Sequence, residues 1–400
     1  VGRSSLYTNT SGSNNTALGY QSLWSNTTGG FNTAIGQQSL YENTTGQKNT
    51  ASGFTALMDN TTGSYNVATG MSALENNTTG DGNTASGYEA LKANTTGGSN
   101  TASGFGALKA NTTGTRNLAI GLGAYDGADT ENDNLAIGYD ALGGAIDGGT
   151  YNVAIGNYSL DANTTGDYGT GVGYNALTSN TTGQRNTVIG ASALATNTTG
   201  NYNTASGYEA LASNTTGTGN TASGYEALKD ANRTADTDGY NTALGYQAGN
   251  TGTNDVTTGN KNTLLGASSA ASAAAGTNQT VIGYGASGQV DNSVTLGNAD
   301  VTAVYMAEDA GATVYAATLD ISGDTDIDGT TNLDAVDIDG AVQVDGTITV
   351  GVDDTGKDVK FFGATSGAYA LWDEDVDDLK LVGAAGMTIA SDLDVDGTTN

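Results

Sequence analysis

The sequence predicts an all-β fold for most of the chain, a parallel β-solenoid built from coils about 17 residues long. Three observations predict it: a glycine recurs with a nearly constant period, the same residue types fill the same slots between these glycines, and proline is absent from all 400 residues. A fixed period near 20 residues is typical of a solenoid. An unbroken ladder of backbone hydrogen bonds excludes proline, because proline has no N–H to donate.

The recurring glycine, called here the anchor glycine, occurs 18 times and defines 17 intervals, of which thirteen are 17 residues long and the others 18, 21, 21 and 14. A unit of this size cannot bury an apolar face alone, so the units must stack on one another. The anchors are Gly2, Gly19, Gly36, Gly53, Gly70, Gly87, Gly104, Gly121, Gly138, Gly156, Gly173, Gly190, Gly207, Gly224, Gly245, Gly266, Gly283 and Gly297.

The slots within a unit predict two short strands joined by turns. Alanine usually stands two residues before the anchor, as Ala34 does, and leucine stands four residues after it, as Leu40 does. One strand is expected to end near the glycine and a second to surround the leucine. Asn-Thr-Thr-Gly segments such as 43–46 are expected to form turns, since Asn and Gly tolerate positive φ and the Asn and Thr side chains bond the local backbone.

Several units carry a more specific pattern. Residues 117–121, 134–138 and 152–156 read Asn-(Leu/Val)-Ala-Ile-Gly, and the final, 14-residue interval ends on Asn-Ser-Val-Thr-Leu-Gly at 292–297. This pattern resembles the head repeat of trimeric autotransporter adhesins, a repeat type that also appears in bacteriophage tail fibres. The resemblance covers residues 1–297, and it implies a left-handed parallel β-roll in which three identical chains lie side by side.

The remainder of the chain differs in composition. Residues 298–351 alternate Asp with β-branched residues, as in 326–329 and 337–340, and predict an Asp-rich β shaft or neck with its carboxylates facing outward. Residues 352–391 contain Phe361, Phe362, Tyr369 and Trp372 and predict a small β module. Residues 392–400 read as the start of a further Asp-rich shaft repeat. Both ends of the chain fall inside repeats, so we expect a segment of a longer protein.

Composition excludes several classes of function. The net charge is −30, of which residues 298–400 contribute −19 from 22 acidic and 3 basic residues, so nucleic-acid binding is not expected. No apolar run approaches 18 residues, which argues against membrane insertion. The absence of histidine and cysteine removes the commonest general base and thiolate ligands. We therefore expect a protein that is not an enzyme and that needs no cofactor.

Calcium is the one candidate cofactor. Asp324, Asp326, Asp328 and Gly329 match the first half of a calcium loop, but Ala335 stands where a bidentate Glu is required. The favoured interpretation is a solvated strand face.

Two sets of residues are candidate contact sites. Aromatic residues directly after the anchor form either a stacking ladder or a platform for glycans, with the stacking ladder favoured. The Asn-Thr-Thr segments match the N-glycosylation sequon, although their favoured role is that of turns. The aromatic set is Tyr20, Phe54, Tyr88, Phe105, Tyr139, Tyr174, Tyr208, Tyr225 and Tyr246, and the sequon set is Asn26, Asn43, Asn60, Asn77, Asn94, Asn111, Asn163, Asn180, Asn197 and Asn214.

The predicted function is structural. We expect a homotrimeric fibre segment of a virion, a phage tail fibre, that acts as a stiff spacer for host-surface attachment. Its expected partners are other copies of the chain, other fibre or baseplate proteins, and a glycan or receptor on the host surface. The alternatives are a bacterial trimeric surface adhesin and a glycan-coated extracellular filament, both outside or on the surface of a cell. An ice-binding solenoid is disfavoured because many threonines are expected to lie in turns.

Overall fold

The computed structural model describes residues 2–127, 129–144, 147–232 and 239–304, together with 342–344, 348, 350, 359–362, 368–373 and 378–383. The chain divides into two compact units, Val1–Ala312 and Thr313–Asn400. The first unit is a parallel β-solenoid, as the sequence predicts, in which strands β1–β17 form one 17-stranded sheet. The second contains a three-stranded antiparallel sheet, β18–β19–β20.

Each coil of the solenoid contributes one strand of three residues, and each strand pairs in parallel with the next one along the chain, so that Thr33 lies opposite Thr50 and Ala34 opposite Ala51. The solenoid strands are β1 Thr16–Leu18, β2 Thr33–Ile35, β3 Thr50–Ser52, β4 Val67–Thr69, β5 Thr84–Ser86, β6 Thr101–Ser103, β7 Leu118–Ile120, β8 Leu135–Ile137, β9 Val153–Ile155, β10 Thr170–Val172, β11 Thr187–Ile189, β12 Thr204–Ser206, β13 Thr221–Ser223, β14 Thr242–Leu244, β15 Thr263–Leu265, β16 Thr280–Ile282 and β17 Val294–Leu296.

The prediction of a second strand around the leucine is wrong. In the coil that follows Gly36, Gln38 and Leu40 have φ values of 57° and 51°, which a strand cannot accommodate. The backbone still bonds to the neighbouring coil there, since the Leu40 N–H donates to the Ala56 carbonyl at 3.0 Å. The ladder between coils therefore continues around the turns, which agrees with the absence of proline.

The Asn-Thr-Thr-Gly segments do bend the chain, but not through positive φ. Neither Asn43 nor Gly46 has a positive φ, and the left-handed residues lie elsewhere, at the fifth residue before and the second and fourth after each anchor. Gly46 is required because an added Cβ would collide with the Gly63 carbonyl oxygen of the next coil and with the Asn43 side chain. The anchor Gly36 is doubly constrained, since it has a φ of 128° and an added Cβ would overlap the Gly53 carbonyl.

The core of the solenoid is thin and continuous. The central residue of most strands, usually alanine, points inward and is buried, as is the leucine four residues after each anchor. Alanine in the slot before that leucine completes the apolar interior, and serine in the same slot, as at Ser39, is also buried. Because the small strand residue faces the leucine, the two walls of the coil lie close together. The first and third residues of each strand consequently point outward.

The antiparallel sheet lies within the predicted β module at 352–391. It consists of β18 Val359–Phe362, β19 Tyr369–Asp373 and β20 Asp378–Val382, with Phe361 opposite Ala370 and Trp372 opposite Leu379. The predicted shaft at 298–351 and the repeat at 392–400 lie almost wholly outside the described residues. The candidate calcium residues 324–335 also lie outside them.

Candidate functional site

The surface that differs most from the rest of the protein is the outer face of the solenoid sheet, defined as the first and third residues of β1–β17. None of these residues is charged, although the whole chain contains 54 acidic and basic residues, the sum of 42 and 12. Many are large and apolar, and Ile35 and Ile189 are 41% and 51% exposed. Where both outward positions are apolar, as in β7–β9, the exposed surface is of the kind that marks an interaction site in soluble proteins.

The outer face changes in character along the solenoid. Strands β7–β9 present Leu or Val at their first residue and Ile at their third. Strands β3, β5, β6, β12 and β13 all read Thr-Ala-Ser and present hydroxyl groups instead. Twelve of the seventeen strands begin with Thr. The expectation that many threonines lie in turns therefore missed an outward threonine column on the sheet.

The aromatic residues after the anchors form stacks where consecutive coils both carry a ring. Tyr88 and Phe105 stack with ring centroids 4.9 Å apart, and Tyr208, Tyr225 and Tyr246 stack at 5.3 and 5.2 Å. Tyr139 and Tyr174 instead lie edge-on to Tyr158, at 5.2 and 6.2 Å. Tyr20 and Phe54 are also exposed, but Gln37 separates them in the column. Stacking is thus present in part of the predicted set, and glycan contact stays a prediction.

The sequon asparagines form a buried amide ladder along the solenoid. Asn43 Nδ2 donates to Asn26 Oδ1 of the preceding coil at 2.8 Å and to the Gly46 carbonyl at 3.1 Å. Both amide hydrogens at the nitrogen that would carry a glycan are therefore used, and all ten side chains are buried. Whether any of them is glycosylated stays a prediction. The ladder runs through Asn9, Asn26, Asn43, Asn60, Asn77, Asn94 and Asn111, and resumes through Asn163, Asn180, Asn197 and Asn214.

A second asparagine column has no counterpart among the predicted sites. Asn32 Oδ1 accepts the backbone N–H of Asn49 at 2.9 Å, and Asn32 Nδ2 donates to the Gly46 carbonyl at 2.8 Å. The same bond to the next coil recurs along most of the solenoid. At Gly169 the backbone N–H still donates to Asn152 Oδ1 of the preceding coil. Because glycine has no side chain, it cannot accept the corresponding N–H of the next coil. The sequence signal was the asparagine directly before nearly every strand.

Charged residues gather at a corner formed by the second and fifth residues after the anchors. Glu89 lies between Lys109 and Lys92, with Oε2–Nζ and Oε1–Nζ distances of 2.6 and 2.9 Å, and these contacts lower the pKa of Glu89 to about 2. In the coils that follow Gly121, Gly138 and Gly156, the same slots contain no lysine or arginine. There burial and then the neighbouring Asp140 carboxylate raise the pKa of both Asp126 and Asp161.

The residues five positions before the anchors form a second column that is rich in aromatic side chains. We call it the corner column, and it is separate from the charged corner that follows the anchors. It contains Phe31, Lys48, Tyr65, Arg116, Tyr151, Tyr168, Arg185, Tyr202, Tyr240 and Lys261 among other residues. The residues from Tyr151 to Tyr202 stack face to face across four coils, with a Tyr151–Tyr168 centroid distance of 5.1 Å. A surface hollow of about 470 Å³ opens beside Arg185 and Tyr202.

No group of three or more acidic residues in the described parts of the chain is arranged to hold a metal ion. Those parts also contain no helix long and apolar enough to cross a membrane. Comparison with known protein families finds no family model that matches the chain. Comparison with curated proteins likewise finds no significant match.

Proposed function

We propose that this chain is a structural fibre segment of a virion, a homotrimeric phage tail fibre whose solenoid is a stiff spacer for host-surface attachment. The single observation that carries the proposal is the uncharged outer face of β1–β17. An isolated chain would expose this face to water along the whole sheet. Association with other copies removes it from water without burying a charge.

The size of the face fits self-association. Seventeen strands spaced by roughly 4.8 Å, each about 10 Å wide, present an area of roughly 800 Å² per chain, which is what one partner contributes to a stable interface. A second copy also offers the same strand spacing, so outward side chains meet in register along the full length. We infer three chains per particle from the resemblance of β7–β9 and residues 292–297 to the head repeats of trimeric adhesins.

The stiffness follows from the hydrogen bonds between coils. Within one coil, the strand, the leucine turn and the Asn-Thr-Thr-Gly bend each donate backbone hydrogen bonds to a neighbouring coil. The two asparagine columns add side-chain bonds in the interior. Bending the solenoid would stretch several of these bonds at every coil. This stiffness suits a non-enzymatic spacer. Such a spacer would join other fibre or baseplate proteins and end near a host glycan or receptor.

The decisive experiment is the mass of the particle in solution, measured by light scattering during size exclusion. The wild-type chain should have three times the mass of one chain. The double variant Ile120→Asp and Ile137→Asp, which places charges on the most apolar part of the outer face, should be monomeric or strongly shifted toward monomer. The control Phe31→Asp alters a large apolar side chain that is 58% exposed and lies outside the outer face, and it should remain trimeric. A monomeric wild type would contradict self-association.

The alternatives have separate tests. A bacterial surface adhesin would be encoded together with a membrane anchor, so the flanking gene sequence decides. A glycan-coated filament requires added hexose on the native material, which intact mass spectrometry detects.

A second candidate function rests on the outward threonine column. An in-register array of Thr and Ser hydroxyls on a flat parallel sheet is the type of surface that orders water, as an ice-binding face must. That function needs the outer face free, so it requires a monomer. Inhibition of ice recrystallisation by a monomeric wild type, lost in Thr84→Lys with Thr101→Lys, would favour ice binding over the spacer.

A further inference from the structure

The corner column holds an arginine in an unusual setting. The Arg185 guanidinium carbon lies 5.6 Å from the Tyr168 ring centroid and 5.5 Å from the Tyr202 ring centroid, so the guanidinium is stacked between two tyrosines of neighbouring coils. Arg185 Nη1 also donates a hydrogen bond to the Tyr202 hydroxyl at 2.9 Å. These contacts hold the side chain in place at the surface.

The charge of Arg185 is not neutralised by the protein. Within the described residues, no carboxylate lies within 4.0 Å of its guanidinium. Arg116 occupies the same slot four coils earlier and differs in this respect, since its Nε and Nη2 both bond the Asp133 carboxylate, at 2.5 and 2.7 Å. The chain thus contains a paired and an unpaired arginine in equivalent positions.

The hollow beside Arg185 is suited to a small polar ligand. It is an open surface hollow of about 470 Å³, which leaves room for one sugar residue against its polar lining. Hydroxyl and amide side chains line it, and Tyr202 is 57% exposed. The next residue of the corner column is Gly219, and the Tyr240 ring of the following coil lies where a Gly219 side chain would be. The lining residues are Thr182, Gln184, Arg185, Thr199, Asn201 and Tyr202.

We propose that Arg185, Tyr202 and this hollow form a subsite for a carboxylate-bearing sugar, such as a uronic acid residue of an acidic polysaccharide. The guanidinium supplies two parallel N–H donors that match a carboxylate. The exposed Tyr202 ring borders the bound sugar, and the hydroxyl and amide groups of the lining bond its hydroxyls. The subsite goes beyond the spacer role and uses none of the residues of the outer face.

The overall charge of the protein limits the strength of binding. A net charge of −30 repels a polyanion at long range, so attraction must come from the short-range contacts at Arg185. We therefore expect weak binding of a short oligosaccharide, with a dissociation constant on the order of 1 mM. Repetition across three chains of a fibre would raise the avidity of such a site for a polymer.

The test is titration of the full chain with trigalacturonic acid and, separately, with neutral maltotriose, followed by calorimetry or ligand-observed NMR. Trigalacturonic acid should bind and maltotriose should bind at least tenfold more weakly. Arg185→Ala should weaken trigalacturonic acid binding by about tenfold or more, because a charge-assisted hydrogen-bond pair is lost. Arg185→Lys should restore only part of it, since an ammonium cannot form the two parallel bonds.

Arg116→Ala is the matched control, and it should leave the affinity unchanged because that guanidinium is already paired with Asp133. Absence of binding, equal binding of maltotriose, or an Arg185→Ala variant with wild-type affinity would each overturn the proposal. The particle mass of Arg185→Ala, measured in parallel, should equal that of the wild type. A failure of self-association and a failure of sugar binding are therefore seen separately.

Discussion

The coils that carry β3–β6 and those that carry β7–β9 share one register but differ in their interior and on their outer face. In the first group the amide ladder is unbroken from Asn43 to Asn111, and the outer face is largely Thr and Ser. In the second group the ladder stops, which leaves Asn111 Oδ1 buried without a hydrogen-bond partner, and the outer face is entirely Leu, Val and Ile.

The second group replaces the missing amides with other polar contacts. Glu131 occupies the slot of the Asn-Thr-Thr-Gly glycine and is buried, and its carboxylate accepts the backbone N–H groups of Asp129, Thr130 and Gly148. Tyr125 replaces the core leucine and bonds the Asn134 side chain, and burial raises the pKa of its hydroxyl.

The comparison indicates how stability is distributed. Coils with a continuous internal ladder tolerate a polar outer face, whereas the coils with an interrupted ladder carry the most apolar one. We infer that the second group depends more on association between chains and the first more on its own interior. Three substitutions in the solenoid test this difference between the two groups of coils.

The largest effect is expected from removing an amide in the unbroken ladder. Asn77 donates to Asn60 Oδ1 and the Gly80 carbonyl and accepts from Asn94 Nδ2. Asn77→Ala therefore leaves buried partners unsatisfied and should lower the free energy of unfolding by about 2–3 kcal/mol in denaturant titrations. Asn111→Ala should cost less, because Asn111 Oδ1 has no partner to lose.

Asn76→Ala, one residue before the ladder and half-buried, is the control and should change stability little. Equal losses for Asn77→Ala and Asn111→Ala would contradict the idea that ladder continuity matters.

A smaller effect of opposite sign is expected at Asp126. Its folded-state pKa is raised, so its ionisation costs stability once the pH exceeds the unfolded value near 3.8, and the cost is complete above the folded value. Asp126→Asn should therefore raise the free energy of unfolding at pH 7, by about 0.5 kcal/mol if the penalty resembles that of other surface charges. The gain should vanish below about pH 4, and melting curves across this range test it.

Asp133→Asn gives the contrasting control. The Arg116 guanidinium lowers the pKa of Asp133, so this substitution should destabilise the protein at pH 7. If Asp126→Asn also lowered the free energy of unfolding at pH 7, the destabilising effect assigned to burial of the Asp126 carboxylate would be contradicted.

The smallest effect is expected at the Glu89 ion pairs. The folded-state pKa of about 2 lies below the ordinary value of 4.5, so the pairs contribute stability above pH 4.5 that is lost as the pH falls toward 2. Lys109→Ala should reduce stability at pH 7 by about 0.3 kcal/mol and flatten this acid-side loss. The difference between variant and wild type should shrink in 1 M salt, and a difference that is independent of salt would rule out an electrostatic origin.

Sequence reasoning reached the coil length, the strand that ends just before the anchors, and the recurring alanine and leucine slots, although not the inward direction of their side chains. It failed at the leucine turn, because the positive φ values of residues such as Gln38 and Leu40 carry no compositional signal when non-glycine residues adopt them. It correctly had the sequon asparagines bond the local backbone, as Asn43 does at the Gly46 carbonyl, but it did not foresee their bonds to amides one coil away. The free and paired states of Arg185 and Arg116 were equally invisible, since the two share one slot.

The repeat, and with it the solenoid, follows from the amino-acid sequence alone, because similar short units that cannot bury their own apolar residues have to stack in register. The side of each unit that faces water, in contrast, is known only from the folded coils. Stacking brings residues 17 apart in the chain into contact, so that Asn26 and Asn43 turn inward to each other while Thr33 and Ile35 face outward. Those directions define the amide ladder that holds the coils and the uncharged face from which we infer self-association.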